Sequence, residues 1–529
     1  MIDRDHNLQL KNLLEDKTFP IGVELVSTRG ALSEMRVRKV AEYGEALAHH
    51  PEVDWVSITD NAGGHPQLAP IALGTPILYR GKEVIIHLTC KDLNRNSIES
   101  QLWFMASHGF HNVLALTGDY PNMGDQGRAK PVFDLDSVSL LSKIKEMNAG
   151  IKIPTAKLKN RRIDATTFYA GAVVSPYKRS ERTLMPQMLK MEEKLKQGAQ
   201  FLISQIGYDG RRAQELIYYL REIGQSKIPV IANVYVLSSP VIELFASGKI
   251  PGVAFPPKML NLFRSKADSP DRGKAFFLEF AAQQLASLKS LGYRAGYIGG
   301  VSNTDDLNCV LNHFKSIQES EVQDLFKQYP AEGDGYYLYE ESGDSTSNNK
   351  SPEPSSPSRD HYFPPRNPTS PASRQLGYKI SRVVHGVFFN HQHPVTKGLV
   401  VLCQSASKVS KFNNILHTVE KICKGAAFGC KDCGDCSLPE TTFICPEASC
   451  AKNMRNGPCG GSQEDRCEVY HYNCIWARAY DRLKSTHSSQ NLLHHAPVVQ
   501  NHSLRGTSGW MNYWQKQDHQ SKNDSQPQH

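Results

Sequence analysis

Short, nearly unbroken apolar runs alternate with longer stretches of helical period through the first 330 residues. The runs are Ile21–Ser27, Val53–Thr59, Val84–Thr89, Val113–Thr117, Thr167–Val174, Phe201–Ile206, Pro229–Val234 and Arg294–Ile298. A strand buried on both faces has this pattern, since neither side of it can be polar. Between the runs, apolar residues recur at three- and four-residue intervals in Ile98–Ser107, Leu135–Met147, Leu184–Gln197, Arg211–Ile223, Gly273–Leu291 and Asp305–Ile317. That is the period of amphipathic helices. Gly109, Gly198, Gly224 and Gly292 follow helical stretches, where a left-handed C-cap favours glycine. Eight strands, each followed by a helix or long loop, predict an α/β fold, a (β/α)8 TIM barrel. An open doubly wound sheet is the competing topology; the strand count and spacing favour the closed one.

Polar residues punctuate the strand ends. Glu24 lies in the first strand, Thr59 and Asp60 finish the second, and His87 and Thr89 finish the third. Gly118 and Asp119 follow the fourth, and Gln205 closes the sixth. In a barrel these positions share the C-terminal rim, where barrel enzymes carry their active sites.

Beyond the barrel the composition changes. Residues 331–375 read as a linker, with seven prolines between Pro352 and Pro371 interleaved with serines. A smaller domain is predicted over 376–483, and the His-, Gln-, Ser- and Asn-rich residues 484–529 are predicted to be mostly disordered. The net charge of +8 belongs to residues 361–529, which hold 19 Lys+Arg against 11 Asp+Glu. These charges are scattered, so a solvated surface is expected and nucleic acid is not. No apolar stretch approaches the ~20 residues a membrane helix needs, and Met1–Pro20 lacks the apolar core of a secretory signal. A cytoplasmic protein is expected; homo-oligomerisation stays open.

The barrel segments resemble the methylenetetrahydrofolate reductase family over about residues 18–318. The likeness is carried by Gly22-Val23-Glu24-Leu25, Val56-Ser57-Ile58-Thr59-Asp60, His87-Leu88-Thr89-Cys90, Leu114–Pro121, Phe133–Ser137, Glu193–Gln200 and Ser204-Gln205. Each segment is short; their order on the expected strands makes the match. The resemblance implies FAD in the barrel and reduction of methylenetetrahydrofolate to methyltetrahydrofolate. It implies Glu24 as proton donor and Asp119 as a ligand of the pterin close to the flavin. It also implies Gln205 at the pterin edge, Thr59, His87, Thr89 and Gly118 as flavin contacts, and Lys194 near the flavin phosphates. Two departures stand out. Glu24 precedes Leu25-Val26-Ser27 instead of two aromatics and two prolines, and Gly118-Asp119 follows Thr117 where the family places arginine.

The residue types suit this chemistry in their own right. Opening the folate's one-carbon bridge to an iminium ion needs a proton at a bridging nitrogen. A carboxylic acid in a barrel mouth can hold one near neutrality, because burial raises its pKa. The bland alternatives are a glutamate paired with Lys or Arg, an aspartate capping its turn and a glutamine bonded to backbone. No Gly-x-Gly-x-x-Gly opens a helix after a strand, so no separate dinucleotide domain is indicated. The electron donor, NAD(P)H or a ferredoxin-like protein, is left open.

Nine of the twelve cysteines fall between Cys423 and Cys474. Cys430, Cys433 and Cys436 have the tight spacing with which three thiolates grip an iron–sulfur cluster, and Cys445, Cys450 or Cys459 would supply the fourth ligand. Zinc held by four cysteines is the rival. Residues 376–483 further resemble the C-terminal methylenetetrahydrofolate reductase domain, through Phe428–Cys436 and Asn456–Gly461. Two functions follow: a reductase with an iron–sulfur relay or donor-docking domain, or a folate-binding or assembly protein with a degenerate barrel and a structural zinc module.

Overall fold

The computed structural model describes residues 9–322, 335–339 and 372–521, apart from 123, 153–160, 249, 251, 254, 407–409, 463–464 and 471. Most of the expected linker lies outside the described residues. The chain divides into two compact units, Met1–Leu338 and Tyr339–His529.

Eight parallel strands close the first unit into a barrel in sequence order. They are β1 (Ile21–Leu25), β2 (Trp55–Ile58), β3 (Glu83–Thr89), β4 (Asn112–Leu116), β5 (Tyr169–Val174), β6 (Phe201–Ser204), β7 (Val230–Tyr235) and β8 (Ala295–Gly299). The helices are α1 (Gln9–Asp16), α2 (Met35–His49), α3 (Pro70–Tyr79), α4 (Arg95–Ser107), α5 (Ser137–Ala149), α6 (Glu181–Lys196), α7 (Gly210–Glu222), α8 (Ser239–Ala246), α9 (Pro257–Ala267), α10 (Lys274–Ser290) and α11 (Thr304–Ser316). The closed topology is the one expected from the strand count. Gly109, Gly198, Gly224 and Gly292 all have φ between +72° and +104°, as left-handed caps do.

Large and small side chains interlock inside the barrel. Trp55, Ile85, Leu114, Tyr169, Phe201, Ile231 and Tyr297 form one buried cluster, joined by Leu10 and Leu14 of α1. A Cβ on Gly22 would lie 2.0 Å from the Trp55 ring, and one on Gly171 would lie 2.2 Å from Phe201. These two glycines are what admit the two aromatics. The interior is thus packed up to the level of Glu24, and the polar strand ends sit above that packing.

The second unit carries α12 (Ala372–Phe388), α13 (Pro394–Ala406), α14 (Ser410–Phe428), α15 (Pro446–Ser449), α16 (Ile475–Lys484) and α17 (Gly509–Trp514), with irregular cysteine-bearing loops between them. The expectation of a disordered tail is corrected over 485–521. Met511 and Trp514 are buried against Cys403, with Phe389, Leu399 and Leu416 packed beside them. Ser508 donates to the buried Glu420 carboxylate at 2.5 Å. The polar composition concealed a few well-spaced aromatics whose burial holds the segment in place. No helix among the described residues is long and apolar enough to cross a membrane.

Candidate active site and cysteine centre

Glu24 stands one residue before the end of β1, opposite Ser57 of β2 in the strand register. Its carboxyl keeps some access to the mouth but is enclosed by its neighbours, and this burial pushes its pKa up to about 7. A single opposing influence is the Tyr297 hydroxyl, which donates to Oε1 at 3.5 Å. Among the described residues no Lys or Arg forms an ion pair with it, unlike the bland reading of a buried glutamate. Gly299 makes the necessary room: a Cβ there would lie 2.7 Å from Oε2 of Glu24.

Tyr297 also hydrogen-bonds to Ser57. Ser57 Oγ in turn lies 2.9 Å from His87 Nε2. Burial pulls the His87 pKa down to about 4, so its ring is neutral at physiological pH. Glu24, Tyr297, Ser57 and His87 therefore form one polar chain across β1, β8, β2 and β3. Tyr297 and Ser57 were missed from the sequence, because a tyrosine and a serine in apolar runs carry no signal of their own.

The other rim residues divide by what already holds them. Thr89 donates through both its amide and its hydroxyl to Asp60 Oδ2, at 3.2 and 2.6 Å. Thr59 Oγ1 is buried with no partner among the described residues. Asp119 Oδ2 accepts from the Gly63 amide at 2.9 Å, which ties the loop after β4 to the loop after β2. Gln205 Oε1 accepts from the Ile206 amide at 2.9 Å, so part of its amide is spent on backbone.

Gly118 has φ +90°, and a Cβ there would come within 3.0 Å of Thr89 and of the Lys91 side chain. Lys91 is buried and paired with Asp92. It brings a cation beside the Gly-Asp pair, where Thr117 had removed the family's arginine. Only the tertiary structure reveals this, since Lys91 comes from the end of a different strand.

Lys194 of α6 reaches under β5 and donates to the Val173 carbonyl at 2.6 Å. Burial, followed by the nearby Lys190 charge, lowers its pKa to about 7, while Asp136 opposes. Asp136 caps α5, accepting from the Val138 and Ser139 amides at 3.0 Å each. Lys190 Nζ is 3.9 Å from its other oxygen. Two buried lysines beside a helix N-terminus suit an anion. Together with the partnerless Thr59 hydroxyl and the crowded glycine at 118, they fit a phosphate-bearing flavin.

In the second unit, Cys430, Cys433 and Cys436 line one small cavity with Glu420 and Lys424. Asp435, fully buried between two of them, accepts from the Asn501 amide at 2.6 Å and from His519 Nδ1 at 2.6 Å. Gly434 is required there: its φ is +72°, and a Cβ would fall 1.7 Å from the Leu504 carbonyl oxygen. Cys445 caps α15 and shares its electrostatic surroundings with Cys436 and Cys430. Cys450 is instead influenced by Cys459. None of the twelve cysteines is joined in a disulfide.

A closed parallel barrel with ionisable side chains gathered at one rim defines a barrel enzyme that works at the C-terminal ends of its strands. The chain belongs to the methylenetetrahydrofolate reductase family: the profile of that family, "Methylenetetrahydrofolate reductase", matches residues 9–295. A second profile, "Methylene-tetrahydrofolate reductase C terminal", matches residues 409–502 and so runs past the boundary expected at 483. The family acts on folates and is generally flavin-linked. No curated protein matches the chain. One solved structure, "Uncharacterized protein from Clostridium thermocellum binds two copies of 5-methyl-5,6,7,8-tetrahydrofolic acid", is 12% identical, with a TM-score of 0.42 over 58% of this chain and 98% of that one. Similarity at that level carries no argument about ligand.

Proposed function

We propose that the barrel reduces methylenetetrahydrofolate to methyltetrahydrofolate with a bound flavin, and that the cysteine-rich unit holds iron–sulfur chemistry that relays electrons or docks a donor. The observation that carries the first part is the Glu24 carboxyl, enclosed at the barrel mouth with its pKa raised to about 7. A carboxylic acid tuned to the working pH is suited to protonating a bridging nitrogen of the folate. Protonation there opens the one-carbon bridge to an electrophilic iminium ion.

The flavin, when bound, supplies the hydride that this carbon accepts. The chain's own residues do the rest. Tyr297 holds the Glu24 carboxyl by its hydrogen bond, and neutral His87 anchors the Ser57 end of the same polar chain. Asp119, already fixed by the Gly63 amide, keeps a second oxygen for the pterin edge, and the Gln205 NH2 group can add a donor. Thr59 would offer its buried hydroxyl to the flavin, and Lys194 and Lys190 would hold its phosphates.

Replacing Glu24 with glutamine tests the reading. E24Q should retain flavin and its reduction by an artificial donor, yet lose methylenetetrahydrofolate reduction by about 10²-fold or more, the usual scale for a general acid. Wild-type turnover in E24Q would overturn the assignment. For the second unit, anaerobically prepared protein should contain iron and acid-labile sulfide. Zinc without iron would favour the structural-module reading instead.

A further inference from the structure

We infer that α12 and α14 form a docking surface for a small acidic carrier protein, which sets an apolar anchor into the cavity between the two helices. The inference rests on the proposed function only for calling that partner an electron donor.

Both helices turn an apolar stripe to solvent. In α12 the stripe is Leu376, Ile380 and Val383, and in α14 it is Ile415, Val419 and Ile422. Each follows the i, i+4, i+7 spacing of a single helix face. An amphipathic helix ordinarily buries that face, yet Val383 and Ile422 are each 67% exposed. Apolar surface gathered in this way marks an interaction site.

The cavity joins the two stripes. Ile380 and Val384 line it from α12, and Cys423 and Ala427 line it from α14. Phe389, Phe443 and Trp510 give it aromatic walls around a volume of about 390 Å³. A desolvated pocket of this kind is where a protein interface seats its dominant side chain. Cys436 lines this cavity and also the smaller one that holds Cys430 and Cys433. A partner anchored here therefore stands beside the cysteine centre.

Charge selects the partner. Residues 372–428 hold eight Lys+Arg against one acid, Glu420. Nearly all of the +8 that looked scattered over 361–529 is thus gathered on these helices and the one between them. Lys379, Arg382 and Lys421 are exposed and directly adjoin Ile380, Val383 and Ile422 in sequence. An apolar centre with a cationic rim is complementary to an acidic protein. A second copy of this chain would instead bring like charges together. A flat lipid surface offers no protruding side chain to fill the cavity.

Two glycines point the same way. Gly386 and Gly425 prolong the stripes, three residues beyond Val383 and Ile422. A Cβ at either would meet nothing within 4 Å, so packing inside the molecule does not require them. Glycine destabilises a helix interior relative to alanine, and its use leaves bare backbone that a partner can approach closely.

The test is calorimetric titration of the full-length protein with an acidic two-cluster bacterial ferredoxin, without folate or turnover. It can therefore fail while the reductase reading stands, and succeed if that reading falls. The wild type should bind, with affinity falling about tenfold or more between about 50 and 500 mM salt as the charges are screened. V383E/I422E should weaken binding about tenfold or more, and K379E/R382E should weaken it and flatten its salt dependence. All four positions are exposed, so both variants should keep the wild-type melting temperature. G386A/G425A is the second probe, because it should melt higher than the wild type and still bind more weakly. No binding by the wild type, or wild-type affinity in both V383E/I422E and G386A/G425A, would overturn the inference. Binding to anionic phospholipid vesicles that V383E/I422E abolishes would overturn it in favour of a lipid surface. A wild-type dimer that the same variant dissolves would overturn it in favour of a second copy.

Discussion

Burial sets the proton affinity of Glu24, and the hydrogen bond it accepts from Tyr297 pulls the other way. With the pKa raised to about 7, the protonated fraction falls as pH rises through that value. Folate reduction should therefore decline on a limb near pH 7, read from kcat/KM against pH. Removing the Tyr297 hydroxyl deletes the lowering influence, so in Y297F this limb should move to higher pH with flavin content unchanged. A purely structural role for Tyr297 would leave the limb in place. The same shift has a stability consequence. A carboxyl raised in the folded state destabilises the fold progressively as pH climbs from the unfolded value of 4.5 to about 7. E24Q should accordingly melt higher than the wild type at pH 8 and show no such gain at pH 4, measured by calorimetry.

Lys194 carries the opposite sign. Its pKa, lowered to about 7 by burial, means the free protein holds only part of the cation at neutrality. An anionic phosphate restores the charge and takes up a proton, so flavin should bind more weakly as pH rises through and above 7. K194M should bind flavin weakly and lose most of that pH dependence, which isothermal titration with FAD would report. Equal pH slopes in the two proteins would remove Lys194 from the phosphate site.

Secondary-structure elements were legible where burial was uniform. All eight strands lie within about two residues of the apolar runs, because a barrel strand with both faces covered leaves no polar position to mislead. Helix α3 was not legible: it is apolar all round, with Gly74 and Pro76 inside it, and so lacks the polar face that marks a period. The rim residues Glu24, Thr59, His87, Thr89, Gly118, Asp119 and Gln205 were readable as strand-end polar positions. Their partners Tyr297, Ser57 and Lys91 became visible only once different strands were brought together. The tail failed for a different reason. Its average composition is that of a disordered segment, while its fate depends on a few contacts, among them His519 lodged between Asp435 and Glu440 at 2.6 and 3.2 Å. H519A leaves two carboxylates in the interior without that partner, so it should destabilise the second unit on the order of 3–5 kcal/mol. Denaturant melts monitored by tryptophan emission would show it, since Trp510 and Trp514 lie in this segment.

At the scale of the whole molecule, the barrel unit extends to Leu338, well past its last helix. The short segment 335–338 belongs to the barrel's packing although it follows the last barrel helix by some twenty residues. Arg212, almost wholly buried, donates from Nη1 to the Tyr336 carbonyl at 2.8 Å and to the Lys178 carbonyl. The Tyr337 hydroxyl donates to Asp209 at 2.9 Å, its ring lies 4.4 Å from the Arg212 guanidinium, and the Leu338 amide donates to Glu215 at 2.9 Å. A chain ending at Glu340 keeps these contacts, so it should express as a folded, flavin-binding barrel that works with an artificial donor. A chain ending at Glu332 strips three hydrogen bonds from buried charged groups, each worth about 1.5–3 kcal/mol when made to a charge. The shorter barrel should melt well below the longer one despite losing only eight residues. Equal melting temperatures would mean that the segment rests on the barrel without supporting it, and the boundary would then move back to the end of α11.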